Sequence, residues 1–326
     1  VMRAHRWWIA LGLCLILAAA GGLWWTMMRR GPDPVASASP EASPSALPEA
    51  SPSAPPLEAS PSALPAPTSS PARPAQPRPP VGTSAKKGVS TWNFSENNTA
   101  LKEVGASWYY NWSAAPASGV TGVEFVPMIW GAGSVTTSNL NRAKASGKVL
   151  LGFNEPDFAS QSNLSVTQAL DLWPQLQATG LRLGSPAVAT GGATAGGWLD
   201  RFLTGARERG LRVDFITLHW YGSDFSTAAV NHLASYVRAV HDRYQLPIWV
   251  TEYALIKFGS GGSTYPSAAQ QVAFVNGSTA MLSGLSYVER YAWFALPTPD
   301  EGGEGTGLFR KGVGLTAAGT AYRAAS

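Results

Sequence analysis

Beyond residue 86, short apolar runs rich in β-branched and aromatic residues recur at 89–92, 107–111, 125–129, 149–153, 181–185, 215–220, 248–253 and 288–293. Each has the length of a strand. From the fourth run onward amphipathic helices fill the gaps, giving a repeat of roughly 30 to 40 residues, the size of a βαβ unit. One helix is marked at both ends. Ser165 is placed to cap it, Gln168 follows three residues later, Ala169, Leu172, Trp173 and Leu176 share a face, and Gly180 stops it. A second carries Trp198, Leu199, Phe202, Leu203 and Ala206 on one stripe up to Gly210, and a third Val230, Leu233, Val237, Val240 and Tyr244. Such stripes cover a sheet. Eight strands with helices between them predict an α/β fold, a single (β/α)8 (TIM) barrel with parallel strands, in preference to an open doubly wound sheet. The helices should be reduced, because the link 113–122, with Pro116 and two glycines, is too short for a crossover helix.

The first 85 residues follow a different pattern. Residues 7–28 carry no charge and are flanked by Arg3, His5 and Arg6 on one side and Arg29 and Arg30 on the other. That is long enough to cross a bilayer. Paired tryptophans, Trp7-Trp8 and Trp24-Trp25, match the interfacial belt of a spanning helix and favour an uncleaved signal anchor over 1–30. The competing expectation is a signal peptide cut after the alanines at 18–20. Either way the following domain is expected to be exported, as a membrane-anchored extracytoplasmic domain or as a secreted one. Residues 31–85 are dominated by Pro, Ala and Ser, with Glu-Ala-Ser-Pro-Ser-Ala starting at 41, 49 and 58. Such a segment cannot build a core and reads as a disordered stalk. The expected organisation is therefore 1–30 signal anchor or signal peptide, 31–85 stalk, and 86–326 catalytic barrel.

Charge narrows the possible partners. The whole chain has 24 Lys+Arg and 20 Asp+Glu, but residues 86–326 hold 18 basic and 16 acidic residues, so the basic excess is not concentrated on the folded part. Dedicated nucleic-acid binding is not expected. The sole cysteine, Cys14, lies in the apolar N-terminal run, which excludes a disulfide framework and a Cys-ligated zinc site. No His-Glu-x-x-His, phosphate-cradling Gly-Lys-Ser/Thr or dinucleotide glycine pattern is present, so no metal and no cofactor is expected. Nine tryptophans in the folded part, with sparse and scattered charge, suit an uncharged ligand with flat apolar faces, such as a sugar.

The chemistry is carried by two carboxylates. The fourth strand ends in Asn154-Glu155-Pro156 and the seventh in Glu252-Tyr253, which places both at C-terminal strand ends, where barrel enzymes build their sites. Either glutamate alone could merely cap the next helix. The pair says more. Together with Gly88-Val-Ser-Thr-Trp92, Phe125-Val-Pro-Met-Ile-Trp-Gly131, Gly152-Phe-Asn-Glu-Pro156, Leu218-His-Trp-Tyr221, Trp249-Val-Thr-Glu-Tyr253 and Trp293-Phe294, it resembles clan A of the retaining glycoside hydrolases and, more narrowly, glycoside hydrolase family 128. The resemblance covers about 88–325. It implies a compact barrel with reduced helices that cleaves β-1,3-glucans such as laminarin or curdlan by double displacement; the first expectation is endo action, with exo action the open alternative. Glu155 would then be the acid and later the base, Glu252 the nucleophile, and Asn154 a ligand of the sugar 2-hydroxyl. Cleaving an acetal needs one neutral and one ionised carboxyl, which is why two glutamates are required.

The remaining candidates follow from strand parity and loop position. His219 and Tyr221 alternate onto one side of strand six, and Tyr221 is placed to donate to Glu252. Trp130 after strand three and Trp293 after strand eight sit where loops form a cleft and are candidate sugar platforms, with Trp92, Tyr110 and Trp220 as further candidates. Trp249 lies out of phase with Glu252 and is expected in the layer facing the helices. His232 and His241 lie on an amphipathic helix and read as structural or solvated. Asp157 is expected to neutralise a helix N-terminus. Asp214 and Glu289 begin strands, on the stability face. The glycine-rich pieces Gly191-Gly192, 259–262 and 302–307 follow strands five, seven and eight and read as mobile cleft walls. The expected partner is a β-1,3-glucan polysaccharide or oligosaccharide, bound by a monomer that touches a membrane only through its N-terminal segment. Two other functions compete: another clan A β-glycanase acting on cellulose, xylan or mannan, and a non-catalytic glucan-binding module.

Overall fold

Each apolar run of the sequence forms a parallel strand, and each strand divides its side chains between two layers. The computed structural model describes residues 82, 84–299, 303 and 305–326. The membrane segment expected over 1–30 and nearly all of the stalk expected over 31–85 lie outside the described residues. Among the described residues no helix is long and apolar enough to cross a membrane.

Six strands form one ladder in the order β3 (Glu124–Phe125), β2 (Trp108–Tyr110), β1 (Lys87–Ser90), β8 (Val288–Trp293), β7 (Ile248–Leu255), β6 (Ile216–Gly222). β4 (Val149–Leu150) and β5 (Arg182–Leu183) form a second ladder. Single parallel bridges connect the two: Met128 with Leu151 on one side, Gly184 with Phe215 and Val188 with Leu218 on the other. Pairing thus runs through all eight strands and returns to the first. Trp108, Tyr110, Val126, Met128, Val149, Leu151, Phe215, Trp249 and Ala292 form a buried cluster with no helical member, the filling of the ring. Close packing there sets residue identity: a Cβ on Gly88 would stand 2.3 Å from the Trp108 ring.

Helices cover the outside. α1 (Asn97–Glu103) follows β1, α2 (Thr137–Ser146) follows β3, α3 (Val166–Gln177) follows β4, α4 (Trp198–Glu208) follows β5, α5 (Ala229–Tyr244) follows β6 and α6 (Ala268–Gly284) follows β7. After β8 a small hairpin of β9 (Phe309–Arg310) and β10 (Gly314–Leu315) leads into α7 (Ala317–Ala324). Between β2 and β3 there is no helix, as the short link implied. α3 begins with the expected capping box of Ser165 and Gln168, and α6 repeats the device with Ser267 and Gln270. The stripes Ala169, Trp173 and Leu176, then Leu199, Phe202, Leu203 and Ala206, then Leu233, Val237 and Val240, are all buried against the strands. Each large apolar side chain so buried contributes about 1.5–3 kcal/mol.

Trp249 corrects the parity argument. It lies inside the ring, against Phe215 (centroids 4.5 Å) and Trp108 (5.3 Å), not in the helix-facing layer. The ladder between β6 and β7 pairs Leu218 with Val250 and then His219 with Glu252, so β7 holds one extra residue, Thr251. This bulge resets the alternation and lets Trp249 and Glu252 share the inner side.

The two ends of the described barrel are tied together at its N-terminal pole. Lys86 Nζ donates to Ser283 O (3.0 Å) and Leu285 O (2.9 Å) at the end of α6. Lys87 Nζ, from a side chain with no solvent exposure, donates to Gly82 O (2.9 Å), Tyr322 O (3.1 Å) and Ala325 O at the end of α7. Gly82 N–H donates to Arg323 O (2.7 Å). Two consecutive cations thus satisfy the terminal carbonyls of two helices.

Candidate active site

At the opposite pole, the C-terminal ends of β4, β6 and β7 bring Glu155, His219, Tyr221 and Glu252 together. Glu155 N–H donates to Ala187 O (2.7 Å), which holds the residue at φ +40°, a left-handed conformation costly for glutamate. Glu155 Oε1 lies 2.9 Å from His219 Nδ1, and His219 Nε2 lies 3.4 Å from Glu252 Oε1. All three side chains are buried, His219 to 1 % exposure. Glu252 Oε1 accepts from Tyr110 OH (2.8 Å) and Trp112 Nε1 (2.8 Å), and Oε2 accepts from Tyr221 OH. The Tyr221 hydrogen bond is the one its strand position predicted.

Burial pushes the Glu155 carboxyl above the ordinary carboxylate range; the hydrogen bond and charge of His219 oppose this, while the Glu252 and Asp157 carboxylates reinforce it. Burial alone would lower His219, but Glu252 and Glu155 more than offset it and the net direction is upward. Tyr110 and Tyr221 are driven well up by burial and by the carboxylates they face, so both remain hydrogen-bond donors.

Trp112, Trp130, Asn154, Glu155, Gln161, Tyr221, Glu252 and Phe294 line one cleft. Asn154 Nδ2 donates to Gln161 Oε1 (3.1 Å), while its buried Oδ1 has no protein partner. Among the described residues, the group with ligand atoms close enough to hold a metal is Glu155, His219 and Glu252, mutually within 4.8 Å. The donors converging on Glu252 already engage its oxygens, an arrangement that serves a carboxylate pair.

Several sequence candidates are relocated. Trp130 lines the cleft as expected. Trp92 is half-buried and stacks on Trp112 (centroids 6.5 Å, planes at 22°), so it backs the cleft wall. Trp293 is no sugar platform: it has no solvent exposure, its Nε1 donates to Thr306 O (2.7 Å) and its ring packs against Tyr253 and Phe274. Trp220 stacks on Phe274 of α6, on the face of β6 opposite His219 and Tyr221. Tyr110 and His219 are too deeply buried to receive sugar and instead contact the glutamates. Asp157 caps no helix; its carboxylate accepts from Ala189 N–H (2.8 Å) and Thr190 N–H (3.3 Å), joining the loops after β4 and β5. On the other pole Glu289 pairs with Arg182, and Asp214 accepts from Leu183 N–H, as the stability reading expected. His241 stacks on Tyr287, a structural contact.

Three cleft residues were missed. Trp112 continues the inward series Trp108, Tyr110, and Phe294 shares the parity of inward Ala292, so alternation would have found both. Gln161 lies in the loop after β4, where no periodicity marks it.

The glycosyl hydrolase catalytic core family matches residues 88–322. A subgroup I endo-β-1,3-glucanase of glycoside hydrolase family 128 from Amycolatopsis mediterranei, solved in complex with laminarihexaose, is 59 % identical, with 74 % of this chain and 100 % of that chain covered at a TM-score of 0.70. A subgroup II endo-β-1,3-glucanase of the same family from Sorangium cellulosum is 30 % identical, covering 74 % of this chain and 98 % of that chain at a TM-score of 0.62. Alkali-sensitive linkage protein 1 of Schizosaccharomyces pombe is 31 % identical over 227 residues, which are 67 % of this chain and 40 % of that protein. The chain thus spans about two fifths of the length of that curated relative. With a paired-glutamate cleft at the C-terminal pole and matches across the whole barrel, this chain belongs to glycoside hydrolase family 128.

Proposed function

We propose that the barrel is a retaining endo-β-1,3-glucanase acting on laminarin- or curdlan-type glucans. The observation that carries the reading is the pair Glu155 and Glu252, with carboxylate oxygens within 4.8 Å of one another across the cleft. Retaining glycosidases hold their carboxyls about 5–5.5 Å apart, whereas inverting enzymes need roughly 6.5–9.5 Å to admit a water. The A. mediterranei enzyme was solved with each of two glutamates replaced, and these stand as far apart in its chain as Glu155 and Glu252 do here. Its identity supports the endo mode and the linkage.

In this mechanism Glu155, whose burial favours the protonated form, protonates the departing glycosidic oxygen while Glu252, aimed by three donors, attacks the anomeric carbon. Glu155, now ionised, takes a proton from water as that water breaks the glycosyl ester. Asn154 Oδ1, lacking a protein partner, is the natural acceptor for the 2-hydroxyl. Trp112, Trp130 and Phe294 offer apolar faces to sugar rings. Reducing-end release from laminarin or curdlan, compared with cellulose, xylan and mannan, tests the reading. Equal action on the other polymers would place it with another β-glycanase activity, and no release from any would leave a binding module. We further propose that 1–30 anchors or exports the barrel and 31–85 spaces it from the membrane, a reading supported by the charge-free run between basic flanks. Recovery of the full chain in a soluble fraction, uncleaved, would contradict it.

A further inference from the structure

His219 is a buried imidazole whose two nitrogens face the two glutamates, and their surroundings differ. Nδ1 lies 2.9 Å from Glu155 Oε1, within hydrogen-bond range. Nε2 lies 3.4 Å from Glu252 Oε1 and has no hydrogen-bond partner. Glu252 Oε1 already accepts from Tyr110 OH and Trp112 Nε1, both at 2.8 Å. A carboxylate oxygen has two lone-pair sites, and here both are taken. A proton on Nε2 would therefore have no acceptor among the protein groups around a side chain only 1 % exposed, a costly arrangement.

We propose that His219 keeps a proton on Nδ1 in both of its charge states, its neutral form being the Nδ1–H tautomer, and is a positioning residue for the general acid, fixing which oxygen of Glu155 carries the transferable proton. With Nδ1–H donating into Oε1, that oxygen can only accept, so the acid proton of Glu155 sits on Oε2, the oxygen left free to face a glycosidic bond. Once this proton has passed to the leaving group, the same Nδ1–H donates to the carboxylate that must next accept a proton from water. No rotation or tautomer exchange is required between the two half-reactions. The charged groups acting on His219 are Glu155 and Asp157 at the end of β4 and Glu252 on β7, with Tyr110 on β2 and Tyr221 on its own strand bonded to Glu252. This inference rests on Glu155 being the acid.

The test uses the geometric difference between two amides. In His219→Asn the side-chain N–H falls near the position of Nδ1, whereas in His219→Gln it falls near that of Nε2. In the full chain, His219→Asn should hold laminarin turnover within about tenfold of the parent, and His219→Gln and His219→Ala should lose roughly 10²-fold or more, the usual worth of general acid catalysis. An activated dinitrophenyl laminaribioside, whose leaving group needs no proton, should show little difference among the three variants in the glycosylation step. That reports an assembled cleft and separates positioning from folding. Histidine ¹⁵N spectra recorded across a pH titration, with His219 assigned by its loss in His219→Asn, should show Nδ1 protonated throughout and Nε2 as the nitrogen that loses its proton as the pH rises. A neutral ring protonated on Nε2 instead of Nδ1, or His219→Gln matching or exceeding His219→Asn on laminarin, would overturn the assignment. Glu155→Gln serves as the separate control. If it spares the activated substrate while losing laminarin, the acid role stands whatever His219 does; if it depresses both equally, the acid role itself fails.

Discussion

At the scale of single residues, the two glutamates differ in surroundings, and their substitution should differ in kind. Glu252→Ala removes the attacking group and should abolish turnover, with azide restoring part of it and giving an α-glycosyl azide. Glu155→Ala should lose about 10²- to 10⁴-fold on laminarin, spare activated aryl glycosides, and give a β-glycosyl azide. Product stereochemistry by NMR distinguishes the two, and swapped anomers would reverse the roles. The pH profile follows from the burial that raises Glu155. Because the acid form persists to higher pH, the basic limb of kcat/KM should lie above the ordinary carboxylate range. Asp157 adds to that upward push, so Asp157→Asn should shift the basic limb to lower pH; an upward shift would contradict the electrostatic account.

At the scale of elements, the sequence was readable wherever alternation is strict and misleading where a bulge interrupts it. All eight strands, the capping box at Ser165 and the missing helix over 113–122 follow from runs, caps and link length. Trp249 was misplaced because Thr251 is an extra residue in β7, and only the partner strand shows this. Trp220 and Trp293 were misjudged for the opposite reason. Strand ends suggested a cleft, but parity with His219 and with Ala292 sends both rings to the helices, where Phe274 of α6 receives them. Gln161 is legible only once the β4 loop folds back to Asn154. The contrast between the tryptophans is measurable. Trp293→Ala should cost about 3–5 kcal/mol in unfolding free energy, read by denaturant titration. Trp130→Ala should leave stability nearly intact and raise KM for laminarin by roughly tenfold, the order expected for losing one stacking partner.

At the scale of the whole molecule, the two poles of the barrel do separate work. Cleft residues sit at one pole, while Lys86 and Lys87 fasten the ends of α6 and α7 at the other. Lys87→Met keeps most of the volume but strands three carbonyls, so it should lower stability by about 2–4 kcal/mol with laminarin kcat/KM unchanged at low temperature; a collapse of activity without loss of stability would break this division of labour. A chain beginning at Gly82 should fold and act, because that residue's N–H and carbonyl both belong to the contacts that hold α7. Since Gly82 N–H meets Arg323 O in α7 within hydrogen-bond distance behind the barrel, the backbone of the barrel is close to a closed loop. A circular permutant with Ser326 joined to Gly82 and new termini in another turn of that pole would present the same cleft, which frees the enzyme to be carried by a partner attached at any of several points around its base.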